Sequence, residues 1–180
     1  MTIKQTLEDL IVREGGYIND PKDSGGETKY GWTRKALREM GWFGAVKDLD
    51  KQTAFDLYYR RFITLSGYKQ IIDISEAVGE ELVDTAVNMG EVWAGKFLQW
   101  SLNALNNEEK MYPDIVDDGV VGPATARTFK RYMVLRGAEG EVVMLRALNC
   151  FQGARYMELA QKYPKNERFA YGWLRSRVVI

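Results

Sequence analysis

A glutamate closes the first helical stretch of the chain at a place where the pattern calls for an apolar side chain. Between Thr2 and Glu14, Ile3, Leu7, Leu10 and Ile11 recur at helical spacing, and at roughly 100° per residue Glu14 falls near the centre of their stripe. Gly15-Gly16 then stops the helix, since glycine takes the left-handed conformation that a C-terminal cap needs. A carboxyl group that faces a core loses hydration, which disfavours its charged form and leaves a transferable proton on it at neutral pH. The competing reading turns Glu14 aside into solvent, where most glutamates are found.

The residues that follow favour chemistry. Gly15, Gly16, Gly25 and Gly26, with Asn19, Asp20, Pro21 and Asp23, argue against any helix before Glu27 and for a turn-rich loop or short irregular hairpin returning beside the helix end. Loops on a rigid scaffold carry a large share of catalytic residues. This one offers Asp20, Asp23 and Glu27 as second carboxylates and Thr28 and Thr33 as hydroxyls. A general acid at a helix end, with a carboxylate and a hydroxyl on the next loop, suits glycoside hydrolysis. One group protonates the leaving oxygen while the other steadies the cation or activates water.

These residues resemble the signature of glycoside hydrolase family 108, the phage-type N-acetylmuramidases. The signature is matched by Glu14-Gly15-Gly16-Tyr17, Asn19-Asp20-Pro21, Asp23, Gly25-Gly26, Thr28 and Gly31-Trp32-Thr33. Ser24 stands where a proline is usual and Trp32 where isoleucine is usual. Asn88-Met89-Gly90 with Ala94 and Leu98-Gln99 resembles the mid-chain segment of the family. Asp118-Gly119-Val120-Val121-Gly122-Pro123-Ala124-Thr125 resembles its second half, described as a peptidoglycan-binding domain, and Phe169-Ala170-Tyr171-Gly172-Trp173-Leu174-Arg175 its closing motif. The resemblance implies cleavage of the β-1,4 bond after N-acetylmuramic acid, with Glu14 as the acid. By analogy with phage lysozymes, Asp23 with Thr28 positions water or steadies the developing charge, and Asp20 is the alternative to Asp23. Tyr17, Asn19, Asp20, Tyr30 and Asn88 are the expected substrate-binding residues. The short members of the family serve phage lysis or bacterial toxin release. A different class of function, a non-catalytic wall-binding or secretion-assisting protein, would keep the fold without needing the whole Glu14-to-Thr33 motif.

Composition narrows the chemistry further. Lys plus Arg equals Asp plus Glu at 25 each, so no global field points to nucleic acid. The clusters Arg34-Lys35, Arg60-Arg61 and Lys130-Arg131 read as solvated helix faces that can meet an anionic cell wall. The chain has no histidine, so Ser-His-Asp hydrolysis and imidazole zinc sites cannot be built from it. Neither Asp20, Asp23 and Glu27 nor Asp114, Asp117 and Asp118 follow the alternating pattern of an EF-hand loop, so carboxylate chemistry without metal or cofactor is the expectation. Cys150 lies in an apolar run and reads as an inert buried thiol. Five Trp, ten Tyr and seven Phe are enough to stack on sugar rings, although aromatics at helical spacing are mostly core.

The first residues are polar and no apolar run approaches membrane-spanning length. The expectation is a protein made in the cytoplasm without a signal peptide or stable membrane insertion. It would reach the periplasmic cell wall through a partner such as a holin pore or a dedicated transporter.

The fold expected is mostly α, a lysozyme-like helical arrangement with a short irregular hairpin or loop after the first helix. Thr33 caps a helix through Met40, and Asp50 caps another through Ile63 that buries Ala54, Phe55, Tyr58, Tyr59 and Phe62. Ser75 begins a helix to Met89, and the next runs from about Glu91 to Leu105. Both are apolar on most sides and therefore central. The polar stretch from Asn106 to Asp118, with Pro113, is the expected boundary between a catalytic lobe, 1–106, and a peptidoglycan-binding-like helical lobe, 107–180. Pro123 starts a helix to Arg136, a long one follows from Glu139 to about Gln161, and a short one from Glu167 to about Arg177 ends the chain. Turn-and-cap chemistry accounts for Asp118–Thr125, so its expected role is structural.

Overall fold

Side-chain caps set four of the helix starts among the described residues. The computed structural model describes residues 2–19 and 26–178. Helix α1 (Ile3–Glu14) opens on a capping box in which the Thr2 hydroxyl accepts from the Gln5 N–H and the Gln5 side chain accepts from the Thr2 N–H. After it come strands β1 (Thr28–Lys29) and β2 (Trp32–Thr33), an antiparallel pair in which Thr28 faces Thr33 and Lys29 faces Trp32. Thr33 caps α2 (Arg34–Glu39), a single-turn 3-10 helix covers Val46–Asp48, and Asp50 caps α3 (Lys51–Tyr59) by accepting from the Thr53 N–H at 2.8 Å. From Arg60 to Leu65 the helix continues in π-helical form.

The chain divides into two compact units, Met1–Ser66 and Gly67–Ile180. In the first, α1 packs on α3, and the core is built from Leu7, Leu10, Ile11, Trp32, Leu37, Leu49, Leu57 and Ile63, among others. Ala54, Tyr58 and Phe62 are buried as the pattern on α3 requires. Phe55 is half-buried and Tyr59 lies 42% exposed, because Leu57 takes the inward position between them.

The second unit is built around two helices, α5 (Glu76–Met89), capped by Ser75, and α6 (Glu91–Ala104), which meet at Gly90. Before them stands the short α4 (Lys69–Ile72), and after them α7 (Pro123–Lys162) and α8 (Glu167–Arg177). Helix α7 breaks its helical geometry at Gly137, where φ is 60°, so the two helices expected from the sequence are two arms of one element. Val78, Leu82, Val83, Phe97, Leu98, Leu102, Phe129, Met144 and Leu148 fill the space between α5, α6 and α7.

The polar segment from Asn106 to Asp118 is tied down within the second compact unit, and the division between compact units falls at Ser66–Gly67. Gln99, 1% exposed, accepts from the Gly119 N–H at 2.7 Å and donates to Asp118 Oδ1 and the Val120 carbonyl, each at 3.1 Å. Trp100 donates to Asp117 at 2.6 Å, and Asn103 exchanges two hydrogen bonds with Ile115. The polar residues that make the stretch look like a linker are consumed as tethers. Gly95 is required for the same strap, since a Cβ there would collide with the Gly119 carbonyl. Asp118 is held below the usual carboxylate range, first by the Val120 N–H and then by Gln99. Replacing Gln99 by leucine strands the buried Gly119 N–H and removes the donor shared by three oxygens, those of Asp118, Val120 and Thr125. At about 1–3 kcal/mol per stranded group, urea unfolding should show a loss of roughly 3 kcal/mol. A loss below about 1 kcal/mol would mean that the strap is held by its other bonds.

Two further expectations need correction. Cys150 is exposed, not buried. The inward face of α7 at that level carries Asn149 and Gln152, because α5 presents Asp84 and Thr85 to it. Gln152 donates to Thr85 at 3.0 Å and to Asp84 at 3.3 Å, and Arg177 of α8 pairs with the same aspartate at 2.6 Å. Glu14 is likewise exposed, because α1 runs out of core at its last residue. The stripe of Leu7, Leu10 and Ile11 fixes the direction in which Glu14 points but not the depth at which it ends.

Candidate active site

The end of α1 and the tip of the hairpin form one small structure. Gly15 leaves the helix with φ at 73°, and its carbonyl accepts from the Tyr30 N–H at 3.1 Å. Ile18 exchanges a pair of 2.8 Å backbone hydrogen bonds with Thr28, which lays the incoming strand beside β1. Tyr30 and Gly31 make the turn between β1 and β2 with φ of 52° and 77°. A two-residue hairpin of this twist needs positive φ at both positions, which a tyrosine adopts only under constraint. The constraint is visible: the Tyr58 hydroxyl donates to the Tyr30 carbonyl at 2.8 Å, and Lys29, one residue earlier, reaches the Lys47 carbonyl at 2.7 Å.

Glu14 sits against this turn. A Cβ at position 31 would come within 3.0 Å of both Glu14 Cγ and the Tyr58 hydroxyl, so the two side chains converge on the bare face of Gly31. Burial pushes the Tyr58 phenol up, and the negative charge of Glu14 adds to the shift. The structure thus brings Glu14 and Tyr30 together at one point.

A second cluster lies on the other residues of the motif. Tyr17 donates to Glu27 Oε2 at 2.9 Å, and Arg34 pairs with the other oxygen of the same carboxylate. The Tyr17 hydroxyl first and Arg34 second hold Glu27 below the usual carboxylate range. The bond to Glu27 pushes Tyr17 up, and a hydrogen bond from the Asn19 side chain pulls it back. Glu27, one of the three carboxylates that the sequence offers as partners for Glu14, is therefore committed as an ionised anchor for Tyr17 and Arg34. Beside it an open depression of about 500 Å³ is lined by Gly26, Glu27, Thr33, Arg34, Lys35, Arg38 and Glu39.

Thr28 is half-buried on β1, with its backbone engaged by Ile18. Asp20 and Asp23 lie outside the described residues. Asn88 belongs to the second unit, in the last turn of α5, half-buried with its amide donating to the Asp84 carbonyl at 2.7 Å. Among the described residues, no three Cys, Asp or Glu side chains gather as a metal site would require. Burial first, and Asp84 second, push the carboxyl of Glu81 up to about 7. One of its oxygens is sealed in the second unit without a hydrogen-bond partner among the described residues, so Glu81 belongs to the interior of that unit. Three residues of the first unit gain roles that their sequence context does not announce. Arg34 has the look of a solvated face, Tyr58 that of plain core, and Gly31 is only a letter of the motif.

Residues 7–90 match the family model of glycosyl hydrolase 108, and residues 93–178 match that of a predicted peptidoglycan domain. Among solved structures the chain is similar to that of Brucella abortus SagA, with a TM-score of 0.59 and 23% sequence identity over 97% of this chain and 91% of that one. At that identity the likeness concerns the fold. No curated protein matches the chain. No helix among the described residues is long and apolar enough to cross a membrane.

Proposed function

We propose that this chain, a muramidase-type glycoside hydrolase directed at peptidoglycan by its matches to glycosyl hydrolase family 108 and to the peptidoglycan domain, cuts the β-1,4 bond between N-acetylmuramic acid and N-acetylglucosamine with Glu14 as the proton donor. The observation that carries this reading is the pinning of the helix end that bears Glu14 onto the hairpin tip through Gly15 and Tyr30. That contact gives an exposed carboxyl group a fixed origin, and exposure leaves it open to an incoming glycan. The sugar that docks over it then supplies the dry surroundings that the core does not. Glu14 protonates the glycosidic oxygen as the bond breaks, and a second group steadies the oxocarbenium-like charge or activates water.

Asp23, with Thr28 beside it on the chain, takes that second role, and Asp20 is the alternative. Glu27 is excluded by its commitment to Tyr17 and Arg34. Tyr17, Asn19, Asp20, Tyr30 and Asn88 contact the glycan. Residues 107–180 contribute wall binding and residues 1–106 the cleavage. The activity serves lysis or the release of a toxin or other protein, with a holin or transporter bringing the enzyme to the periplasmic wall.

Digestion of purified peptidoglycan followed by borohydride reduction tests the bond. Reduced muramic ends are expected; reduced glucosamine ends would mean the neighbouring bond is cut, and no new ends would mean a binder. If Asp23 orients water, Asp23→Asn should lower kcat by about a hundredfold, the scale of one acid–base group, with little change in KM. Asp20→Asn should do much less, and the reverse order would exchange their roles.

A further inference from the structure

Tyr58 is 6% exposed, and its ring is clamped between Trp32, at 4.6 Å between centroids, and Phe62, at 5.9 Å. Its hydroxyl therefore has a fixed position, which it uses to hold the Tyr30 carbonyl at the tip of the hairpin. The same hydroxyl and Glu14 Cγ close on the one face of Gly31 that carries no side chain. An exposed glutamate at a helix end has several free torsions, whereas proton transfer to a glycosidic oxygen needs one arrangement of them.

We propose that Tyr58 is a positioning residue for the reaction: its clamped hydroxyl and the bare face of Gly31 together fix the direction in which the Glu14 side chain leaves the helix. The proposal rests on the reading of Glu14 as proton donor. The phenolic hydrogen is committed to the Tyr30 carbonyl, so the hydroxyl acts on Glu14 through its fixed place and not as a donor. Glycine at 31 is demanded twice, by its φ of 77° and by the two side chains that meet there. Neither residue needs to touch the substrate.

The test uses the full chain and short soluble glycan strands. Tyr58→Phe keeps the ring stack and removes only the hydroxyl. It should lower kcat about tenfold while KM stays within about twofold, since geometry and not binding is lost. Gly31→Ala should lower kcat about a hundredfold in the native background and only about tenfold in the Tyr58→Phe background, where the nearest obstructing atom is gone. A merely structural role would lower the melting temperature, leave kcat per folded molecule unchanged, and make Gly31→Ala cost the same in both backgrounds. Unchanged kcat in Tyr58→Phe, or equal costs of Gly31→Ala, overturns the proposal. Glu14→Gln is measured alongside. If that variant stays active, the reading of Glu14 has failed and the proposal falls with it. If it is inactive while Tyr58→Phe is fully active, only the positioning role has failed.

Discussion

Glu14→Gln is expected to abolish clearing of a peptidoglycan suspension for practical purposes, with turnover reduced at least about a hundredfold. That is the lower end of what one general acid contributes, and glutamine keeps the shape of the side chain while removing its transferable proton. The substitution should leave the fold intact. Glu14 is the exposed last residue of α1, and the atoms that pack against Gly31 are its methylene carbons, which glutamine retains. The melting temperature should accordingly match that of the native chain, so lost activity reads as lost chemistry. Near-native activity in this variant would end the assignment of Glu14.

A fragment ending at Asn106 is expected to be insoluble or molten. It keeps α5 and α6 and removes α7, whose side chains close their exposed flank. Phe151 stacks on Phe97 at 5.6 Å and lies tilted against Trp100 at 5.5 Å, Arg155 lies 4.0 Å over Trp93, and Gln152 donates to Thr85. The strap that satisfies Gln99 goes with it. Uncovering several large side chains at about 1.5–3 kcal/mol each removes much or all of a usual stability of about 5–15 kcal/mol. Dye binding and the absence of a cooperative thermal transition would bear this out. A soluble fragment with a sharp transition would restore an independent lobe ending near Asn106.

Much of this fold is legible in the sequence because its signals are local. Thr33, Asp50 and Ser75 cap helices that start where their side chains predict, and Gly90, Pro123 and Gly137 punctuate the chain where expected. The hairpin after Glu14 is readable for the same reason, from glycines and turn formers. The features that differ depend on distant partners. Helical periodicity gives an azimuth and says nothing about where the core stops, which is why the pattern alone buries Glu14. A polar stretch with a proline looks alike whether water or Gln99, Trp100 and Asn103 satisfies it. The apolar run around Cys150 suggests an inward thiol, whereas Asn149 and Gln152 face inward, and the Gln152 amide meets Asp84 and Thr85 from a helix far away in sequence. At the site, the motif letters carry Glu14, Tyr17 and Gly31, whereas Tyr58 comes from another helix and leaves no local mark.

The changeover between the two family similarities, between residues 90 and 93, does not coincide with the break between compact units at Ser66–Gly67. Helix α5 is thus written with the front half of the chain and folded with the back half. This matters for modular exchange. A crossover at Gly90 would join the α5 of one parent to the α6 and α7 of another, pairing Thr85 and Asp84 with a foreign partner for Gln152 and Arg177. A crossover at Ser66–Gly67 transfers the whole interdigitated set intact. Evolution can therefore exchange the back half of such a chain freely only if α5 travels with it, and the same holds for anyone assembling hybrids from these halves.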